Sequence, residues 1–516
     1  MKIISLVFLI LLFKIVEAQE LKVSVPFSTS TPYLEPDGRR DALKISETDF
    51  VVLSKRKGAL SGPSEYALER YGLDLKPKYQ VVLKLSDIEE FKDIFFNGTD
   101  LFVFVVTHDV IAKVAKLTVM VFDPETGNQK ENKQLHEFQV KDWMDANSKG
   151  SVKQSFENAI GSNLIKNFVA PLQYQYEIKY SPDKKKILTY IYDYGQKNLL
   201  AIACLFDDQL NKLSQGIVPI DNNFINYGIY PNNRGEVFIT NVDKLGRIVV
   251  VQYNIETKDH KLLDIQYSSS NRESLKIHIL EDDVIYVGNI NSKNGAIMGV
   301  MYSKFNFSTN LIEKINYHEV SEGLRQTVEH SRSANKKGTE DWFNYEMTDF
   351  VVNEYEKVII VLEKREVQVT GVRFMSSATN NINNWKETMG KVNVEGLLMF
   401  SFNKDGELLW ENFYLKSQQN DITAGLISSS YVMHITEEGK VRMLFAISDN
   451  AAGTYNTIKL VEWDELTGTK LKDIPLPNEA GIGLMKGFTV FWDDKMIIAG
   501  RKGILGKKTF INYYKL

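Results

Sequence analysis

The sequence predicts an all-β chain folded as an eight-bladed β-propeller, and three features carry that prediction. The first is a hairpin that recurs along the chain: an apolar alternating run ending in an aromatic, a polar turn, then a second short strand. Its copies begin YGLDLKPKYQ at Tyr71, FDPETGNQK at Phe122, FDDQLNKLSQ at Phe206, YNIETKDHKLLD at Tyr253, FNFSTNLIEK at Phe305, FNKDGELLWE at Phe402 and WDELTGTKLKD at Trp463. In the Phe402 copy Asp405-Gly406 separates two apolar runs, a place where glycine takes positive φ without steric cost. Successive copies are 51, 84, 47, 52, 97 and 61 residues apart, so four intervals lie near one period and two hold insertions. The second feature is that two more strands precede each hairpin, such as FINYGIYPN and GEVFITNVD in the fourth unit. Four short strands per period with Gly- and Asn-rich turns describe propeller blades better than a series of sandwiches, whose strands do not repeat in one order.

The third feature lies at the chain ends. MKGFTVFW, KMIIAGRKG and KKTFINYYKL supply three strands of an eighth blade, and the chain stops where a fourth is due. A spare strand, ELKVSVPF (Glu20–Phe27), precedes the first complete blade. Borrowing it closes the ring and covers an open sheet edge. Seven blades is the alternative count.

Taken from the start, residues 1–18 (MKIISLVFLILLFKIVEA) read as a signal peptide. Lys2 gives the positive region, Ile3–Phe13 the apolar core, and Val16-Glu-Ala18 a small-residue cleavage pattern. Residues 19–516 then form one propeller domain with insertions at about 141–171, 323–345 and 367–394. In the first, Phe156, Ile160, Leu164, Ile165 and Phe168 have helical spacing and predict a short amphipathic helix. The other two read as long polar loops in the sixth blade, one before its first strand and one between its second and third. Long loops in compact domains tend to carry function.

Composition narrows the function. Net charge is −4, with 62 basic and 66 acidic residues interspersed, which is neither a nucleic-acid footprint nor a polybasic membrane patch. The single cysteine, Cys204, lies in the apolar run LLAIACLF and reads as a small buried hydrophobe. An exported chain without disulfides points to a bacterial periplasm or cell surface, or to secretion from such a cell. Asn97-Gly-Thr and Asn306-Phe-Ser match the glycosylation sequon and are read as incidental.

No catalytic or metal-ligating constellation emerges. The seven histidines show no zinc spacing, and His108-Asp109 reads as a strand-end dipeptide. Asp207-Asp208 and Asp282-Asp283 fall in turns, where solvated aspartate is ordinary. No cofactor and no metal is expected. The charged cluster with most promise is Lys364-Arg365-Glu366, where a strand enters the third insertion. Loops on either side of the sixth blade's first two strands emerge on one face. This predicts an aromatic and basic rim of Trp342, Phe343, Arg365, Arg373 and Trp385, the place for a ligand.

The turns FDPETG, FNKDGELLWE and WDELTGTKL resemble those of PQQ-type and related bacterial β-propellers. The span VNVEGLLMFSFNKDGELLWENFYLKSQ (Val392–Gln418) is similar to uncharacterised exported propeller proteins of Bacteroidota. The full tryptophan-docking turn occurs once, at Trp410, so the resemblance does not imply a quinone cofactor. It implies architecture and no single activity. The expected function is a non-catalytic binding or scaffold protein for a protein or glycan partner at the cell envelope. The alternative is a polysaccharide- or peptide-processing enzyme with its site in the central channel.

Overall fold

The computed structural model describes residues 21–27, 42–57, 64–86, 88–109, 112, 114–139, 176–193, 200–220, 224–243, 247–265, 275–331, 342–376, 384–421, 430–448, 455–478, 482–502 and 509–516. Residues 1–18, expected to be a signal peptide, and the helix expected around 156–168 lie outside them. The strands form eight antiparallel four-stranded sheets. Blade 1 is β2–β5 (42–85), blade 2 β6–β9 (89–139), blade 3 β10–β13 (176–219) and blade 4 β14–β17 (224–265). Blade 5 is β18–β21 (276–319), blade 6 β22–β25 (345–421) and blade 7 β26–β29 (431–476). Blade 8 takes β30–β32 (482–515) from the C-terminal end and β1 (Leu21–Phe27) from the N-terminal end. The register runs from Leu21↔Tyr514 to Phe27↔Thr509, so the N-terminal strand closes the last blade as the sequence predicts.

The recurring hairpin is the third-to-fourth-strand connection, and its chemistry explains why it repeats. In six of the seven copies an Asp or Asn follows the aromatic. Its side chain accepts the next backbone N–H groups and so closes the turn. Asp123 accepts from Glu125 and Thr126, both at 2.9 Å, and Asp464 from Leu466 at 3.1 Å and Thr467 at 2.8 Å. The preceding aromatics Phe122, Phe206, Tyr253, Phe305, Phe402 and Trp463 are buried. Each unit therefore supplies a core residue and a turn within two positions.

Apolar side chains form eight clusters, each lying between two adjacent blades. The cluster joining blades 8 and 1 completes the circle. There Phe50 stacks on Tyr71 at 5.6 Å and meets the edge of Trp492 at 6.5 Å. The Trp492 indole donates to the Ser46 carbonyl at 3.1 Å. First strands of neighbouring blades touch one another, among them β18 (Lys276–Glu281) with β22 (Tyr345–Val352), and β2 (Ala42–Lys44) with β30 (Ile482–Phe491). They surround the axis. Outer strands such as β21 (Leu311–Glu319) alternate between exposed and half-buried positions.

Side chains on the outer strands of blades 2, 4, 5 and 6 stitch each of these blades to the next one's turn. Lys133 donates to the Leu210 carbonyl and Lys261 to that of Phe307, both at 2.8 Å. Lys314 reaches the Lys404 carbonyl at 3.2 Å, and the Trp410 indole reaches that of Glu465 at 2.8 Å. Gly468 has φ +66°, and a Cβ there would come within 2.5 Å of the Trp410 ring. The single tryptophan-docking turn is thus a blade-to-blade clasp.

Cys204 lies in β12 (Leu200–Asp207), 1% exposed, and burial pushes its thiol pKa up to about 12. Because the thiolate is the nucleophile, a water-soluble disulfide reagent is expected to label the native protein negligibly and the denatured protein fully. Prompt labelling under native conditions would contradict this placement.

Candidate functional site

Alternation of strand direction sorts the connections. Links between blades, and those between second and third strands, share one face of the ring; the other two kinds of turn share the opposite face. The segments before and within blade 6 therefore emerge together. Both differ from the polar loops expected. Residues 367–394 continue the sheet: β23 (Val358–Ser376) and β24 (Asn384–Phe402) pair out to Ser376↔Asn384 as a long arm. The fourth strand, β25 (Leu408–Asp421), follows as far as Lys391↔Asp421. The β-branched run Val367, Val369, Thr370 and Val372 suits extension. In blade 5 the equivalent hairpin stops at Lys293↔Ala296, with positive φ at Asn294 and Gly295.

The segment before blade 6 begins with a helix, α1 (Glu322–Ser331). The Ser321 hydroxyl caps it by accepting the Leu324 N–H at 3.1 Å. Leu324 and Val328 are buried in the core between blades 5 and 6. Beside the cap, His318 Nε2 lies 3.0 Å from Glu411 Oε2. Burial would raise the Glu411 pKa, but hydrogen bonds from His318 and Ser321 together hold it below the usual carboxylate value.

At the arm's root the apolar run Val358–Leu362 gives way to Glu363, Lys364 and Arg365. Glu363 is fully buried, and its carboxylate accepts from Lys416 Nζ at 2.5 Å, Arg365 Nε at 2.8 Å and the Ser430 hydroxyl at 2.8 and 3.0 Å. Arg365 also donates to Glu346 at 2.8 Å. Lys416 donates to Gln418 Oε1 at 2.7 Å, and Gln418 donates to the Ala446 carbonyl at 2.6 Å. The Lys416 ammonium lies 5.5 Å from the Tyr431 ring and 5.7 Å from that of Phe445. Burial, with the Asp349 and Glu363 carboxylates nearby, drives the Tyr431 pKa well above its ordinary value. Two carboxylates and two cations thus bind β22, β23, β25 and β26 (Tyr431–Ile435) of blades 6 and 7 together. With its donors supplied internally, Glu363 serves as an anchor; taking a proton from a ligand would require dismantling the network.

The five predicted rim residues fall into two groups. Trp342 is 7% exposed, packed in the core between blades 5 and 6, with the Arg325 guanidinium 4.9 Å from its ring. Phe343 is half-buried against the turn at Gly295, and Arg365 is in the root, its N–H donating to the Asn344 carbonyl at 2.8 Å. Arg373 pairs with Glu387, and Trp385 with Met375, farther along the arm. At about 3.3 Å per residue these positions lie roughly 26 and 33 Å along the strand from Arg365. The structure therefore assembles no rim from the five: Trp342 and Phe343 pack on the blade 5 side, the Arg365 side chain joins the root toward blade 7, and the other two positions lie on the arm.

Sequence reasoning missed Glu363, Lys416, Gln418 and Ser430. A signal existed for two of them. Between Leu408 and Gln418 the buried positions of β25 are Trp410, Tyr414, Lys416 and Gln418, two or four residues apart, so the lysine continues a core-facing series. Asp109 accepts the Ala112 N–H at 2.8 Å and Asp207 closes its turn, as read from the sequence. Asp282 and Asp283 are more than solvated turn residues: they reach back to blade 4, where Asp282 accepts the Asn233 N–H at 2.8 Å and Asp283 accepts from the Gln252 amide at 2.9 Å.

No family model matches the chain, and no curated protein matches it. Solved structures do resemble it. Prolyl endopeptidases align at 10% identity and TM-score 0.39, over 93% of this chain and 55% of theirs, so the chain spans about half their length. The polysaccharide lyase Uly1 aligns at 9% identity and TM-score 0.38, covering 96% of this chain and 98% of the lyase. A protein of unknown function from Bacteroides caccae aligns at 9% identity and TM-score 0.28, covering 72% and 94%. Likenesses this distant carry nothing about activity. No helix among the described residues is long and apolar enough to cross a membrane.

Proposed function

We propose that this chain is an exported, non-catalytic binding or scaffold protein that presents the blade 6 arm to a protein or glycan partner at the cell envelope. The observation that supports this reading is the buried ionic root. Desolvating Glu363, Lys416 and Arg365 is costly, and such networks are best repaid where they fix one geometry. Here the geometry fixed is the angle at which an arm leaves the ring. Cleavage before Gln19 would leave β1 in the mature chain, where it closes blade 8.

The test replaces Gln368–Lys391 by Asn-Gly, joining the paired residues Val367 and Val392 through a two-residue turn. The variant is expected to keep its melting temperature within a few degrees. It should lose the full chain's retention on isolated envelope fractions. Equal retention of both proteins would overturn the reading. Release of soluble glycan or peptide products by both would favour a channel enzyme instead.

A further inference from the structure

Around the axis, blades 2, 3 and 4 bring together polar and aromatic side chains away from the arm. β10 (Tyr176–Tyr180) begins at the face from which the arm emerges, and β11 (Lys186–Asp193) ends there. Glu177 and Tyr190 are register partners, and Lys179 and Tyr192 each lie two residues further on. All four therefore share the face of blade 3 that meets blade 4. Tyr190 is buried and meets the half-buried Tyr192 edge-on at 5.4 Å. From blade 4, Tyr230 of β14 (Phe224–Pro231) lies over Gly228, where a Cβ would come within 2.5 Å of its ring. That ring stands 5.7 Å from the Lys179 ammonium. From blade 2, Lys92 is the extra residue of a bulge in β6 (Glu89–Phe96), a device that re-aims a side chain.

The Glu177 carboxylate lies 3.9 Å from the Lys92 ammonium and 3.6 Å from that of Lys179. Both gaps exceed hydrogen-bond length, and among the described residues no donor stands within that length of its oxygens. Glu363 fills its bonding capacity from within the ring, whereas Glu177 is 35% exposed and keeps its own for a ligand. Burial raises the pKa of all three phenols and the Glu177 charge adds to it, so their hydroxyls stay protonated around one carboxylate.

We propose that Tyr192, Tyr230, Glu177, Lys179 and Lys92 form a binding site for a neutral oligosaccharide at the inner rim of blades 2 to 4. Charge narrows the ligand: Glu177 opposes an anion, and the two ammoniums oppose a cation. An uncharged ring with hydroxyls on its edge and apolar C–H groups on its face uses every group at once. The phenol rings pack on that face, the carboxylate accepts from neighbouring hydroxyls, and the ammoniums donate to hydroxyl or ring oxygens. The site involves no residue of the arm, so it stands apart from the proposed function.

Maltohexaose, cellohexaose and mannohexaose are titrated onto the full chain by calorimetry, with hexagalacturonate and chitosan hexamer as charged controls. At least one neutral hexamer is expected to bind saturably, and both charged ones roughly tenfold more weakly or less. Glu177→Gln, at a part-exposed side chain, should leave the melting temperature unchanged and weaken that binding roughly tenfold. Lys179→Met, which keeps the aliphatic stem, should weaken it comparably. No saturable binding of any neutral hexamer, tighter binding of a charged one, or unchanged affinity in either variant each overturns the inference. Replacing the arm by Asn-Gly should leave the affinity unchanged. Lost binding there would move the sugar contact to the arm, overturning this site while the proposed function stands. Cleavage of a hexamer that Glu177→Gln abolishes would uphold the site and overturn the non-catalytic reading instead.

Discussion

Removing Leu21–Phe27 is expected to destabilise the ring by roughly 3–5 kcal/mol, taking about 1 kcal/mol for each net hydrogen bond across the five register pairs with β32 (Thr509–Lys515). The loss follows from topology. Among the described residues β1 is the only strand that reaches blade 8 from the other end of the chain, and without it β32 becomes an open edge. The buried Ile511, Tyr513 and Tyr514 would then sit in a sheet edge open to other chains. Thermal unfolding of the truncated protein should therefore begin several degrees lower and show concentration-dependent aggregation. Adding the peptide LKVSVPF should recover part of the loss. A truncated chain that melts unchanged and stays monomeric would show that closure owes little to this strand.

The second large effect is expected at the arm's root. Lys416→Met keeps the aliphatic stem and removes the ammonium, leaving a fully buried carboxylate short of a partner. The expected loss is about 3 kcal/mol, measured as a lower urea midpoint at unchanged slope. Pairing it with Glu363→Gln removes the uncompensated charge, so the double variant should lose only about 1 kcal/mol. Equal losses in the single and double variants would mean that packing of the lysine stem matters rather than charge pairing. Because Ser430 and Arg365 also contact Glu363, the double variant should still fold as a ring.

How much of this was legible in the chain differs between features. The hairpin repeat was legible because its determinants are local: a buried aromatic and, in most copies, a turn-closing Asp or Asn occupy adjacent positions, as in Phe122-Asp123 and Trp463-Asp464. Closure by Glu20–Phe27 was legible because a missing strand and a spare one are both visible in one dimension. Cys204 was legible from alternation alone. The arm was not: within Val367–Met389 the strand pattern is interrupted by Gly371 and a bulge, and polar residues look like a loop until the facing strand is known. Helix α1 offers only Leu324 and Val328 as apolar positions, too few for a periodic signal, and it is the packing against blades 5 and 6 that marks it. The ionic root is the clearest case. Glu363 meets Lys416 across 53 residues and Ser430 across 67, and nothing in either local segment states that these positions converge. The sequence by itself determined what repeats from blade to blade, since short-range turn and alternation rules set it. Only the tertiary structure decided which charged residues lost their water and found each other, because that depends on which blades stand side by side.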